Sequence, residues 1–111
     1  MTILNVFEQK HSVLPLHADV FARAIYQGKN VTVSHSYMLA HGYAEIHMHE
    51  ESEHIFYVLK GALKASDGKT THIVKEGCAV IAPPGEMHEI TGTGDCDCEY
   101  IVVTCPPAKW K

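Results

Sequence analysis

The sequence predicts an all-β barrel or sandwich, and three observations predict it. Short runs rich in Val, Ile, Thr, Phe and Tyr recur at near-regular spacing, turn residues separate them, and no stretch carries a sustained helical apolar stripe. A chain of 111 residues, 46% of them hydrophobic, forms one domain able to bury a core without disulfide staples. No internal repeat or low-complexity segment interrupts it.

In chain order, residues 1–15 show no clean period and read as part of an arm, reaching to about residue 18, that lies on the barrel or on a neighbouring subunit. Runs 20–27 and 31–39 are predicted strands, joined by a tight turn at Gly28, Lys29 and Asn30. Gly42 is expected to break the chain before a histidine-bearing strand. Residues 54–60 form the next strand, Gly61 kinks it, and Ser66, Asp67, Gly68 and Lys69 make a hairpin turn of the Asp-Gly kind before 70–74. Glu76 and Gly77 turn the chain into 78–82. Pro83, Pro84 and Gly85 form a stiff loop before 87–91, residues 92–97 form another, and 98–104 is a last apolar strand ended by Pro106 and Pro107. About nine short strands result.

The formal charge is −4 and Lys and Arg are scattered, which argues against nucleic acid and a membrane surface as partners. The opening residues lack a basic stretch followed by an apolar run and a cleavage site, and no apolar run reaches spanning length. A cytoplasmic location is expected. The four cysteines, Cys78, Cys96, Cys98 and Cys105, lack the paired spacing of a zinc clip and read as free thiols. Cys96 and Cys98 could share a strand face, but Asp95, Asp97 and Glu99 beside them would raise a thiol's pKa rather than activate it.

Nine histidines against nine Lys plus Arg is the compositional oddity. Alternate side chains of a strand share a face, so His47 and His49 can grip one metal ion together, with His54 and His88 as completing ligands. A lone His-x-His pair is weak and often only two surface histidines. Here it is followed by Gly61, separated from His54 by six residues, and by the series Gly77, Pro83, Gly85 and His88.

On these residues the chain resembles the cupin superfamily, specifically its small single-domain members. That family's first motif runs from a Gly through His-x-His to a further ligand four or five positions on, then six residues and a Gly. Its second is Gly, five residues, Pro, one residue, Gly, two residues and His. The second motif matches without a gap, although Gly92 stands where Asn is often found, and Gly42 precedes His47 by one residue fewer than usual. The resemblance spans about residues 37–104. It implies a double-stranded β-helix, or jelly roll, holding one divalent transition metal on His47, His49, His54 and His88.

The third ligand rests on register. The six-residue interval 55–60 before Gly61 puts the ligand position at His54 and places His54, Phe56 and Val58 on one face; Glu53 is the alternative. Four neutral imidazoles leave the ion's double positive charge uncancelled, and they suit Fe, Ni, Cu, Zn or Mn. An octahedral ion keeps two open positions, and its charge favours a bidentate, anionic, oxygen-rich substrate such as a carboxylate, α-keto acid or enolate. A closed tetrahedral zinc is the structural alternative.

Parity from His47 carries Tyr43 and Glu45 inward, which makes Glu45 the first general-base candidate, with a solvent-facing rim carboxylate as the alternative. The alternation of Val31, Val33, Tyr37 and Leu39 carries His35 inward towards substrate, although an exposed or satisfied histidine there is the commoner case. Phe56 and Tyr100 join the expected substrate pocket, with Val102 and Thr104 on the same face as Tyr100 and the opposite register open. His11, His17, His41 and His72 read as surface. The outward face is apolar at Ile46, Met48, Ile55, Tyr57 and Leu59, so a homodimer that covers it is expected.

The site points to a metalloenzyme, with dioxygenase chemistry first and Lewis-acid isomerase or lyase chemistry next. A non-catalytic module that binds a metal or small ligand is the alternative. Four residues between His49 and His54 also match the small uronate-converting cupins, but those carry Asp, Phe and Arg near the C-terminal prolines, where Val102, Thr104 and Lys109 stand here. Their reaction is therefore not carried over.

Overall fold

The structure, a computed structural model, describes residues 1–12, 17–47 and 50–107, the side chains of residues 45–47 excepted. Within them run eight strands: β1 (His17–Gln27), β2 (Thr32–His47), β3 (Glu53–Lys60), β4 (Ala62–Ser66), β5 (Thr71–Lys75), β6 (Ala79–Ala82), β7 (His88–Gly92) and β8 (Cys98–Cys105). They hydrogen-bond in the order β5-β4-β7-β2-β8-β3-β6, with β1 along the other edge of β2. The sheet curls into a nearly closed barrel of the jelly-roll kind.

Sixteen-residue β2 is what makes the curl. Its first half pairs with β8 and its second half with β7, while β1 follows both halves on the opposite edge. One strand thereby belongs to two sheets. The expected break at Gly42 is thus corrected: the strand continues, and Gly42 sits at its corner. A Cβ there would stand 2.7 Å from the Asp19 carbonyl oxygen and 2.8 Å from Met38 Cγ, so glycine lets β1 and β2 close on each other. Asp97 holds the same corner from the β7–β8 loop, accepting the Ala40 N–H at 3.0 Å and the Tyr37 hydroxyl at 2.7 Å.

The interior is built in rungs that the register defines. Val20, Met38 and Cys98 lie on one, Ala22, Ser36, Tyr100 and Val58 on the next, and Ala24, Ser34, Val102 and Phe56 on a third. A last rung holds Gln27, Thr32, Thr104 and His54. The first is solid core, for Met38 and Cys98 are essentially inaccessible. This inverts the parity expected for 31–39: the even-numbered Ser34, Ser36 and Met38 point inward, and Leu39 is exposed. Apolar alternation misled because the outer face carries the larger apolar residues and the inner face of β2 carries small polar ones.

The described part of the arm lies on its own barrel. Ser12 exchanges backbone hydrogen bonds with Ala22 at 2.8 and 3.0 Å, and Phe7 packs edge-on against His35 at 5.5 Å between ring centroids. The arm ends earlier than expected, because β1 already begins at His17.

Candidate metal centre

His54 and His88 reach the interior for local reasons. In β3 the burial alternates strictly, so His54, Phe56 and Val58 are buried while Glu53, Ile55 and Tyr57 are exposed. The structure thus puts His54 inside and Glu53 at the surface. His88 opens β7 after the Pro83-Pro84-Gly85 loop, and it too is buried. The two rings stand 5.1 Å apart between centroids, with Phe56 stacked on His54 at 5.8 Å and an interplanar angle of 11°.

Their orientation is held from behind. His88 Nδ1 lies 3.2 Å from the Glu86 carbonyl oxygen. A carbonyl only accepts, so the contact assigns the ring proton to Nδ1 and leaves the Nε2 lone pair as a donor atom. His54 Nδ1 and the Thr104 hydroxyl are 3.3 Å apart, and Thr104 comes from β8 directly across from His54.

A bulge sets the register of His47. Ala44 opposes Ile90 and His47 opposes His88, so three residues of β2 span two of β7. The register sets the backbone of His47 opposite that of His88, while Ala44, three residues earlier, shares the interior with Ile90. His49 lies outside the described residues. Among the described side chains no three His, Cys, Asp or Glu converge.

The bulge also corrects the expectation for Tyr43. Parity counted back from His47 takes no account of the extra residue, and Tyr43 is 42% exposed on the outer surface. Glu45 lies within the bulge and its side chain is outside the description. His35 is corrected as well. It is buried outside the barrel wall, under Phe7 and 3.4 Å from the Glu99 carboxylate, and it does not touch the interior cavity.

That cavity, of about 270 Å³, runs from His54 and Thr104 between the two sheets. Phe56, Tyr100, Val102 and Thr104 line it, on the face proposed for them from the sequence. Burial, then the neighbouring Cys98, raises the Tyr100 phenol well above its ordinary pKa, against a hydrogen bond with Ser36 that works the other way. Its hydroxyl therefore stays protonated. His17, read as surface from the sequence, lines the cavity too, opposite Ala44. Its position was hidden because the strand that carries it starts three residues before the run that sequence pattern detects.

The thiols take no part. All four are free, and Cys98, inaccessible in the core, is pushed up to about 12 by burial first and then by Cys96 and Glu99. At pH 8 iodoacetamide should therefore add three carboxamidomethyl groups to the folded protein, at Cys78, Cys96 and Cys105, as read by intact mass. A fourth addition without unfolding would contradict the placement of Cys98.

A two-sheet β-helix with a buried histidine, His54, on the wall of an interior cavity defines the class of this protein. The chain belongs to the Cupin domain family, whose model matches residues 35–104. Among solved structures it is similar to the polyketide cyclase RemF from Streptomyces resistomycificus, with a TM-score of 0.87 and 22% identity over 99% of this chain and 82% of that one. A predicted oxalate decarboxylase from Thermotoga maritima follows at 0.85 and 19%, covering 96% of this chain and all of the other. KdgF from Halomonas sp. superposes at 0.83 and 19%, over 96% and 95%. At these identities the likeness concerns the fold. No curated protein sequence matches the chain.

Proposed function

We propose that the chain is a mononuclear metalloenzyme acting on a small oxygen-bearing molecule held inside the barrel. The observation that carries this reading is the buried His54–His88 pair, 5.1 Å between rings, with His54 lining a cavity able to admit a ligand. The donor chemistry fits a divalent transition ion: His47, His49, His54 and His88 would hold it, and His88 already has its Nε2 set as the donor. Such an ion, Fe, Mn, Ni, Zn or Cu, would supply Lewis acidity or, in a redox-active form, oxygen chemistry. The protein's own part is to aim the imidazoles through Glu86 and Thr104 and to present Phe56 and Tyr100 to the substrate. The substrate's anionic character is then confined to the oxygens that face the imidazoles.

Dioxygenase chemistry is the first assignment and Lewis-acid isomerase or lyase chemistry the second. Oxygen uptake by iron-loaded protein, on a panel of diketones, keto acids and sugar acids, separates them: product formation without oxygen consumption assigns the second. Failure of every metal form to transform any member would leave the alternative, a metal- or ligand-binding module. Four free thiols accord with a cytoplasmic setting. Among the described residues no helix is long and apolar enough to cross a membrane.

A homodimer accompanies this reading. On the outer face of β3, β6 and β8, exposed Ile55 opposes Ile81 and Val103, and exposed Tyr57 opposes Ala79 and Ile101. A continuous apolar sheet face of this kind is one that association covers. Light scattering should give twice the chain mass, and Tyr57→Glu should shift it to the monomer. A monomer at micromolar wild-type concentration would contradict the dimer.

A further inference from the structure

The cavity's lining carries information on the ligand beyond the metal. Its space exists because β1 and β2 present Ala22, Ala24, Ser34 and Ser36, small residues on two successive rungs, to Phe56 and Tyr100 on β3 and β8. Phe56 and Tyr100 stand 6.3 Å apart at 45°, forming a continuous aromatic wall. A cavity of about 150 Å³ lined by apolar side chains takes up benzene. At 270 Å³ this one admits about two fused rings.

Its polarity is of one kind. Among the described lining residues there is no Lys, Arg, Asp or Glu; the polar groups are neutral hydroxyls and an amide, plus His17 and His54. A carboxylate or phosphate placed deep among them would be stripped of water with no counter-charge, which is costly. A sugar fares little better, because oxygens around its whole perimeter would face Val20, Ala44, Ile90 and Val102 without partners. A flat ring with one or two hydroxyls has its faces met by the aromatics and its edge oxygens by Ser34, Ser36 and Tyr100.

We propose, resting on the metal-site reading above, that the ligand is a hydroxylated one- or two-ring aromatic, uncharged beyond the oxygens at the His54 end of the cavity. Its ring lies against Phe56 and Tyr100, and its distal hydroxyl sits at the Ser36–Tyr100 pair. Ala24 is the residue whose small size admits the second ring.

Isothermal titration with 1,3-dihydroxynaphthalene and with oxalate, each on metal-stripped and zinc-loaded protein, tests this. The expected result is binding of the naphthol to both forms, weakened at least tenfold by Ala24→Leu, while oxalate binds only with zinc. Should Ala24→Leu fail to fold by circular dichroism, Ser34→Val takes its place, with at least a threefold loss expected. Naphthol binding that is absent, or unchanged in the variant, overturns the ligand class even if zinc and oxalate bind as expected. Naphthol binding in a protein that takes up no zinc supports the ligand class and overturns the metal-site reading instead.

Discussion

Replacing His88 by Ala should lower metal affinity at least about 100-fold, since even residues that merely orient a ligand cost 10–100-fold when lost. His88 is the described imidazole with its geometry most fully set: its Nδ1 is tied to the Glu86 carbonyl, its ring lies beside His54, and its register position faces His47. The loss should appear as depleted metal by elemental analysis after dialysis, with strand content retained by circular dichroism. Cys96→Ala is the control, because that thiol is exposed on the β7–β8 loop and should leave metal content unchanged. If both variants kept full metal, the ligand set would be wrong.

The second large effect concerns Gly61. Its φ of +78° is left-handed, and a Cβ added there would overlap the backbone carbonyl oxygen of Asp97. Alanine therefore meets two costs: about 1–2 kcal/mol for the backbone conformation and about 1–3 kcal/mol for pushing the β7–β8 loop away. A loss of about 3 kcal/mol, or a fall in Tm of more than about 10 °C, is expected. Gly77 makes the comparison, since its φ of +82° is alike but a Cβ there meets nothing within 4 Å. Gly77→Ala should cost only the conformational part, about 1–2 kcal/mol. Equal midpoints for the two variants would contradict the close approach of Asp97.

These two glycines and His88 belong to the motif residues, and that is the part of the molecule legible from sequence. A glycine forced by positive φ and a histidine after a Pro-Gly loop leave fixed spacings, and the six residues from His54 to Gly61 placed His54 rather than Glu53 on the inner face. The barrel itself was legible for the same reason. Parity was not legible in β2. Tyr43 was assigned inward because nothing in the residues between Ala44 and His47 announces an extra one, and a one-residue bulge exchanges the faces on either side of it. His35 was assigned inward because pattern reading equates apolar alternation with the core, whereas this barrel has a cavity lined by Ser34 and Ser36 and an outer wall that is itself apolar. Gly42 reads as a strand break in the sequence because a corner that passes one strand between two sheets uses the same residue as a chain break. His17 is not legible, because its place in the cavity follows from its pairing with Ala44, a contact across 27 residues that no local pattern carries.

The convergence of imidazoles on one ion is tested most directly by X-ray absorption on zinc-loaded protein. The account predicts a first shell of nitrogen and oxygen alone, at about 2.0–2.1 Å, with the outer-shell scattering of at least three imidazoles and no sulfur. Sulfur scatterers at about 2.3 Å, or a spectrum of fully hydrated zinc, would contradict it.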